Sequence, residues 1–197
     1  MRPWMNWMHC TGSTYGTWLR GDPRGWRARD HREHVQGDYR NPPPPGIYEE
    51  MHEQSARSMK RPGVVLPWEA RVVAVRTMVE ALSYHEARVA DACVGARHWH
   101  ALVRFIPLTE EDHVWASIEI QQLCQNREPR NMMGIAKKES ARALSKLGLV
   151  APGGVWARGC GRRYIKNEWH FNNVRDKYIP DHARKGSAVF SLLFGKD

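Results

Sequence analysis

Apolar residues recur at helical spacing in two stretches of the chain. In PWEARVVAVRTMVEAL, positions 72, 75, 78, 79 and 82 are apolar, the spacing of one buried helix face. Pro67 suits the first turn of that helix, where its missing N–H is not needed. A second helix is predicted from about Arg130 to Leu147, with Met133, Ala136, Ser140, Leu144 and Leu147 as its buried stripe and Gly148 placed to end it. Between the two helices the period changes. ARVADACV has β character, Gly95-Ala96-Arg97 makes a tight reversal, and HWHALVRF returns as a strand. Residues 4–19, rich in Trp, Thr and Tyr, read as a first strand running into a turn. Residues 153–160 (GGVWARGC) read as a short β segment ahead of a last helix, from about Asn167 to Arg184.

The predicted order is therefore strand, helix, hairpin, helix, strand, helix, without an internal repeat. It implies an α+β domain whose antiparallel sheet has helices packed on one face. A length of 197 residues fits a single domain spanning 1–197. From about 20 to 63 the chain is dense in Arg, Gly, Pro and Asp and has no sustained periodicity. It reads as a loop-rich basic extension, with NPPPPG a stiff extended piece.

Charge narrows the range of partners. The formal net charge is +9, and such an excess favours a polyanion, because each Lys or Arg placed on a phosphate releases condensed counterions. Cys10, Cys93, Cys124 and Cys160 form no CxxC pair, which argues against a zinc ribbon or a dithiol redox site. Scattered thiols fit a reducing, cytoplasmic setting. The N-terminal MRPWMNWMHC lacks a continuous apolar stretch, and no run reaches membrane-spanning length, so no membrane association is expected.

The strongest chemical pattern is His98-Trp99-His100. Residues two apart on a strand share a face, so the imidazoles project side by side while Trp99, Ala101, Val103 and Phe105 form an apolar row behind them. Two such imidazoles can hold a divalent ion, although a pair at this spacing also arises by chance in a chain with ten histidines. Far downstream, in NNVRDKYIPDHARKG, Tyr178 and His182 are four apart and share one helix face. A phenol with a pKa near ~10 needs a metal, base or cation beside it to act as a nucleophile, and His182 can be a third metal ligand or that base. An ordinary amphipathic helix with a half-buried Tyr178 gives the same pattern.

Taken together, these pieces resemble the single-tyrosine HUH transposases: the small insertion-sequence transposases and the REP-associated tyrosine transposases. RHWHALVRF is similar to the His-hydrophobic-His signature on a strand. TYGTWLRGDPRGW (14–26) resembles the segment after the family's first strand, and AKKESARALSK (136–146) its basic helix. VWARGCGRRYI with VRDKYIPDHARKGSAV (155–189) resembles the Trp-led strand and tyrosine helix. The blocks occur in the family's order and span most of the chain.

The resemblance implies a ferredoxin-like HUH domain in which His98 and His100 are metal ligands, His182 is the third ligand and Tyr178 is the nucleophile. The implied cofactor is a divalent metal, Mg2+ or Mn2+, though an all-imidazole set also suits zinc. The implied activity is nicking and rejoining of single-stranded or hairpin DNA through a 5′-phosphotyrosine. Members include monomers and homodimers. Three positions depart from the family. The turn before the histidines lacks the frequent proline, His182 stands where glutamine is more usual, and Pro180 lies inside the tyrosine helix. Proline removes a donor and clashes with the preceding turn, at ~3 kcal/mol in a helix interior, so a kink is expected there.

For the DNA surface, Lys137, Lys138, Arg142 and Lys146 lie off the apolar stripe of the second helix, where they can grip phosphates or simply face water. Arg158, Arg162 and Arg163 beside Tyr164 mix charge with an aromatic, a pattern suited to single strands. Arg20, Arg24, Arg27 and Arg29 with Trp18 and Trp26 form another mix, in which Trp18 is expected to pack. Tyr164 is the rival nucleophile, but has no partner one turn away. His31 and His34 read as loop residues, His9 and Cys10 as structural ones. The competing readings are a hairpin-binding relic that no longer cuts, another HUH enzyme such as a replication initiator or relaxase, and an unrelated RNA-binding protein.

Overall fold

The computed structural model describes residues 4–28, 32–38, 40–105 and 128–191. The first strand, β1 (Trp7–Ser13), is followed by α1 (Glu49–Arg57) and α2 (Trp68–Tyr84). The hairpin β2 (Arg88–Val94) and β3 (His98–Arg104) leads to α3 (Pro129–Lys146) and β4 (Gly161–Tyr164). The chain ends in α4 (Glu168–Asn173), a π turn (Val174–Tyr178), α5 (Ile179–Arg184) and β5 (Ala188–Ser191). The five strands form one antiparallel sheet in the order β4-β1-β3-β2-β5. This is an α+β architecture compatible with a ferredoxin-like fold.

Strand alternation divides the sheet chemically. Met8 and Cys10 of β1 and Trp99, Ala101 and Val103 of β3 point to the face covered by α2 and α3. There they meet Ala70, Ala74, Met78 and Leu82 of α2 and Met132, Met133, Ala136 and Leu144 of α3. Pro67 caps α2 in an extended conformation, and Gly148, at φ +67°, follows α3. Leu147, expected in the stripe of α3, is 59% exposed because α3 ends at Lys146, one residue before it. The opposite face of the sheet carries a smaller apolar cluster, in which Cys93 and Leu102 meet Ile165, Val174 and Ile179. The C-terminal helical segment thus leans over the face that also carries His98 and His100.

Three elements differ from the pattern-based reading. The β segment expected at 153–160 lies later, at Gly161–Tyr164. Val155 and Trp156 instead fill space beside α3, where Trp156 Nε1 donates to Ser140 Oγ at 2.9 Å, and contribute only an isolated bridge, Thr14↔Trp156. α1 lies inside the loop-rich extension and buries no residue, so it has no apolar stripe to reveal it. β5 is four residues long, too short for a period to register. Cys10, Cys93 and Cys160 are free thiols, while Cys124, like Arg29 and His31, lies outside the described residues. Among the described residues, no helix is long and apolar enough to cross a membrane.

Gly12 stands opposite Trp99 on the packed face, and a Cβ built on it would lie 2.5 Å from the indole. The ring therefore occupies the space a side chain would need. Gly12→Ala is expected to destabilise the fold by about 1–3 kcal/mol, the usual cost of overpacking, read as a lower urea midpoint at unchanged slope.

Candidate metal and tyrosine site

β3 delivers His98 and His100 to the face away from the main core, and the C-terminal segment brings His182 and Tyr178 over them. His98 Nε2 lies 2.9 Å from His182 Nδ1, close enough to share a proton. The His100 and His182 rings stack with centroids 4.5 Å apart, and one ring nitrogen from each of His98, His100 and His182 falls within a 4.8 Å set. The Tyr178 ring sits 5.0 Å from His100 and 4.9 Å from His182, edge to face with both. All four side chains come from one chain.

The proline anticipated as a kink is absorbed by the backbone. The helix widens into a π turn over Val174–Tyr178, in which the Ile179 N–H bonds the Val174 carbonyl, and Pro180 follows at once. A proline in a regular α-helix crowds the carbonyl four residues back and leaves it without a donor. One wider turn immediately before it relieves that crowding, and such turns recur at functional sites. Here the result aims Tyr178, 39% exposed, at the imidazoles.

His9, read from the sequence as structural, belongs to the site. β1 lies beside β3 in the sheet, with Thr11 opposite His100 and His9 opposite Leu102, so His9 shares their face. His9 Nε2 lies 3.3 Å from His100 Nδ1, and its ring is 5.3 Å from that of Tyr178. A hydrogen bond at Nδ1 of His100 leaves its Nε2 free to ligate and fixes the ring, as outer partners of metal-bound histidines do. The signal available in the sequence was the alternation of β1, which becomes readable only once its neighbour in the sheet is known.

Burial governs the charge state. It lowers His100 to about 2, with His182, His9 and His98 adding repulsion, and lowers His9 to about 4, with His170 and Arg163 adding to it. His98 and His182 are lowered as well, by burial first. Neutral imidazoles are what a metal requires. Three nitrogen donors can hold a divalent ion, and an all-imidazole set suits Zn2+ and other nitrogen-preferring transition ions better than Mg2+, which prefers oxygen.

The cluster borders two clefts, and a third lies next to them. His98, His100 and His182 line one of about 800 Å3, with Trp18, Arg24, Arg97, Arg158 and Lys185 on its walls. Tyr178 and His9 line another of about 530 Å3 with Arg163 and His170. These two share Thr11 and Gly161. The third, of about 960 Å3, is walled by Arg130, Lys137, Lys138, Arg158 and Arg162.

The cations proposed for DNA therefore separate. Lys138, Arg158 and Arg162 are exposed on one groove, and Arg163 faces the tyrosine cleft. Lys137 lines the groove but is half-buried, its Nζ donating to the carbonyls of Ala157 (2.7 Å) and Gly159 (2.6 Å). Arg142 and Lys146 lie farther along α3, outside the groove, and Arg142 is paired with Glu139. Arg24 is bound to the buried carboxylate of Asp22. Arg130 was not singled out from the sequence and joins the groove. Arg20 pairs with Glu33, and His34 is exposed in the extension. On β4, Tyr164 pairs with Met8 and is 65% exposed. It therefore shares the face of Met8, away from the imidazoles.

Comparison of the chain with protein-family profiles, with curated proteins and with solved structures returns no match.

Two outcomes are expected of the cluster. Mn2+ should bind the wild-type chain in calorimetry, with binding abolished in His100→Ala and weakened roughly 10- to 100-fold in His9→Ala, the usual effect of removing an outer partner. With chelator present, stability should fall on acidification. Unfolded histidines titrate near ~6.5, so below that pH the unfolded state takes up protons that buried His9 and His100 refuse. The melting temperature should be flat above that range, drop from about pH 6.5 toward 4, and drop less steeply in His9→Ala.

Proposed function

We propose that this protein is a metal-dependent single-strand DNA transposase of the single-tyrosine HUH type, which cuts and rejoins a strand through Tyr178. The observation that carries this reading is the convergence of a phenol and three imidazoles from distant parts of the chain, with Tyr178 within 5.0 Å of the His100 ring, centroid to centroid. The resemblance of the sequence blocks to that family supplies the substrate class. The basic groove beside the cluster suits a polyanion.

In this reading His98, His100 and His182 would hold a divalent metal, Mn2+ or Mg2+. A bound ion would supply Lewis-acid polarisation of the phosphate and stabilise charge developing on its oxygens. The Tyr178 hydroxyl gives up its proton to water, its oxygen bonds to phosphorus as the bond to the 3′ oxygen breaks, and the departing 3′ oxygen takes a proton back from water. The product is a 5′-phosphotyrosine and a free 3′-hydroxyl. That hydroxyl, or one from another strand, can reverse the step, because the tyrosyl ester conserves the phosphodiester. His9 positions His100, and the π turn positions Tyr178. Arg158, Arg162, Arg163 and Lys138 line the path proposed for the strand, with hairpin or single-stranded DNA as partner and the cytoplasm as setting. The four reacting and ligating groups come together within a single protomer.

The test is a pool of hairpin-bearing single-stranded oligonucleotides incubated with the protein and Mn2+ or Mg2+. A denaturation-resistant protein–DNA adduct is expected, lost in Tyr178→Phe and retained in Tyr164→Phe. Binding of the pool without any adduct would assign the chain to the hairpin-binding, non-cutting reading instead.

A further inference from the structure

The wall of the imidazole cleft carries a tryptophan that the proposed chemistry does not use. Trp18 is 50% exposed, whereas a tryptophan that serves packing sinks most of its ring. One face of that ring is backed by Arg24, whose guanidinium carbon lies 4.7 Å from the centroid. Arg24 is itself held from behind: Nε donates to Asp22 Oδ1 at 2.8 Å, Nη2 contacts Asp22 Oδ2, and Nη2 donates to the Thr17 carbonyl at 2.6 Å. Asp22 is 2% exposed and its carboxyl stays below the usual range, because the Arg24 hydrogen bonds outweigh the opposing effect of burial. The charge of Arg24 is thus offset within the fold, and its guanidinium serves as a brace for the indole.

The backbone beneath the ring is fixed as well. The Thr17 hydroxyl lies 2.8 Å from the Thr14 hydroxyl and donates to the Arg97 carbonyl at 3.2 Å, tying the residue before Trp18 to the turn that leads into His98. The ring and the imidazole cluster are therefore registered to each other through one short polar link. A ring so pre-positioned loses little freedom when something stacks on it.

We propose that Trp18 is a nucleobase platform, a stacking subsite for an unpaired base of the strand whose phosphate lies at the imidazole cluster. This rests on the reading of the protein as a single-strand DNA enzyme and deepens it. Indole and base faces stack whatever the base, so the subsite tolerates sequence. A base inside a duplex has both faces covered by its neighbours, so the platform accepts single-stranded nucleotides and rejects paired ones. Arg97, Arg158 and Lys185 line the same cleft and are placed for the phosphates on either side.

The test compares a short fluorescein-labelled oligo-dT with an abasic strand of equal length, by anisotropy, using the full chain in chelator so that no strand is cut. Wild type should bind oligo-dT roughly tenfold more tightly than the abasic strand. In Trp18→Ala that preference should collapse toward unity while affinity for the abasic strand is unchanged, which also reports a folded protein. Trp18→Phe should keep most of it. A preference that persists in Trp18→Ala overturns the proposal, as does equal binding of both strands by wild type. Wild type that binds neither strand overturns the DNA reading itself, and the platform with it.

Discussion

Slipping β1 by one residue against β3 would send His9 and Thr11 into the core and bring Met8 and Cys10 out to the cleft, because side chains alternate with a period of two. The register of this pair is thus the constraint from which the site follows. It is pinned from the packed side, where Trp99 lies over Gly12 and no other register offers the indole an empty position on β1. It is pinned again at the strand ends, where the Thr14 N–H donates to the Arg97 carbonyl at 2.9 Å and holds the exit of β1 to the β2–β3 turn. A core device and a turn device thereby fix the positions of His9 and Thr11 against His98 and His100.

The apolar backing has an electrostatic result. The imidazoles lie on the sheet face that also carries Leu102 and Cys93, under the C-terminal helical segment, where they are partly or fully withdrawn from water and each lies beside others of its kind. Desolvation and mutual repulsion act in the same direction, toward the neutral, lone-pair-bearing form. The π turn completes the arrangement. It lets a proline-containing segment remain helical, so that Tyr178 and His182 keep the one-turn spacing that sets them over the same cluster.

How much of this is legible in the sequence depends on the range of the interaction involved. α2 and α3 carry their own period, the hairpin its own reversal, and the His98/His100 and Tyr178/His182 pairs their own spacing, so each can be read locally. The union of the two pairs is a tertiary fact, and only the order of the family-like blocks hinted at it. The place of His9 beside His100 has no local signal, because it depends on which strand lies beside β1. α1 escaped notice because it rests on local contacts such as the Arg57–Glu53 pair and buries nothing. The displaced β4 shows the converse. Val155 and Trp156 look like strand residues because they are apolar, yet α3 claims them, and the strand forms from Gly161-Arg162-Arg163-Tyr164, which has no apolar alternation at all. Trp18, expected to pack, stands out in the cleft because Arg24 rather than the core receives its face.

Lys137 shows how a cation that reads as a phosphate contact becomes a structural member. Its ammonium ties α3 to the 157–159 loop, and Arg158 on that loop borders both the imidazole cleft and the basic groove. Neutralising this one ammonium would leave two carbonyls without their donor and free a partition common to both compartments. Held in place, that partition fixes the width of the groove and of the imidazole cleft together.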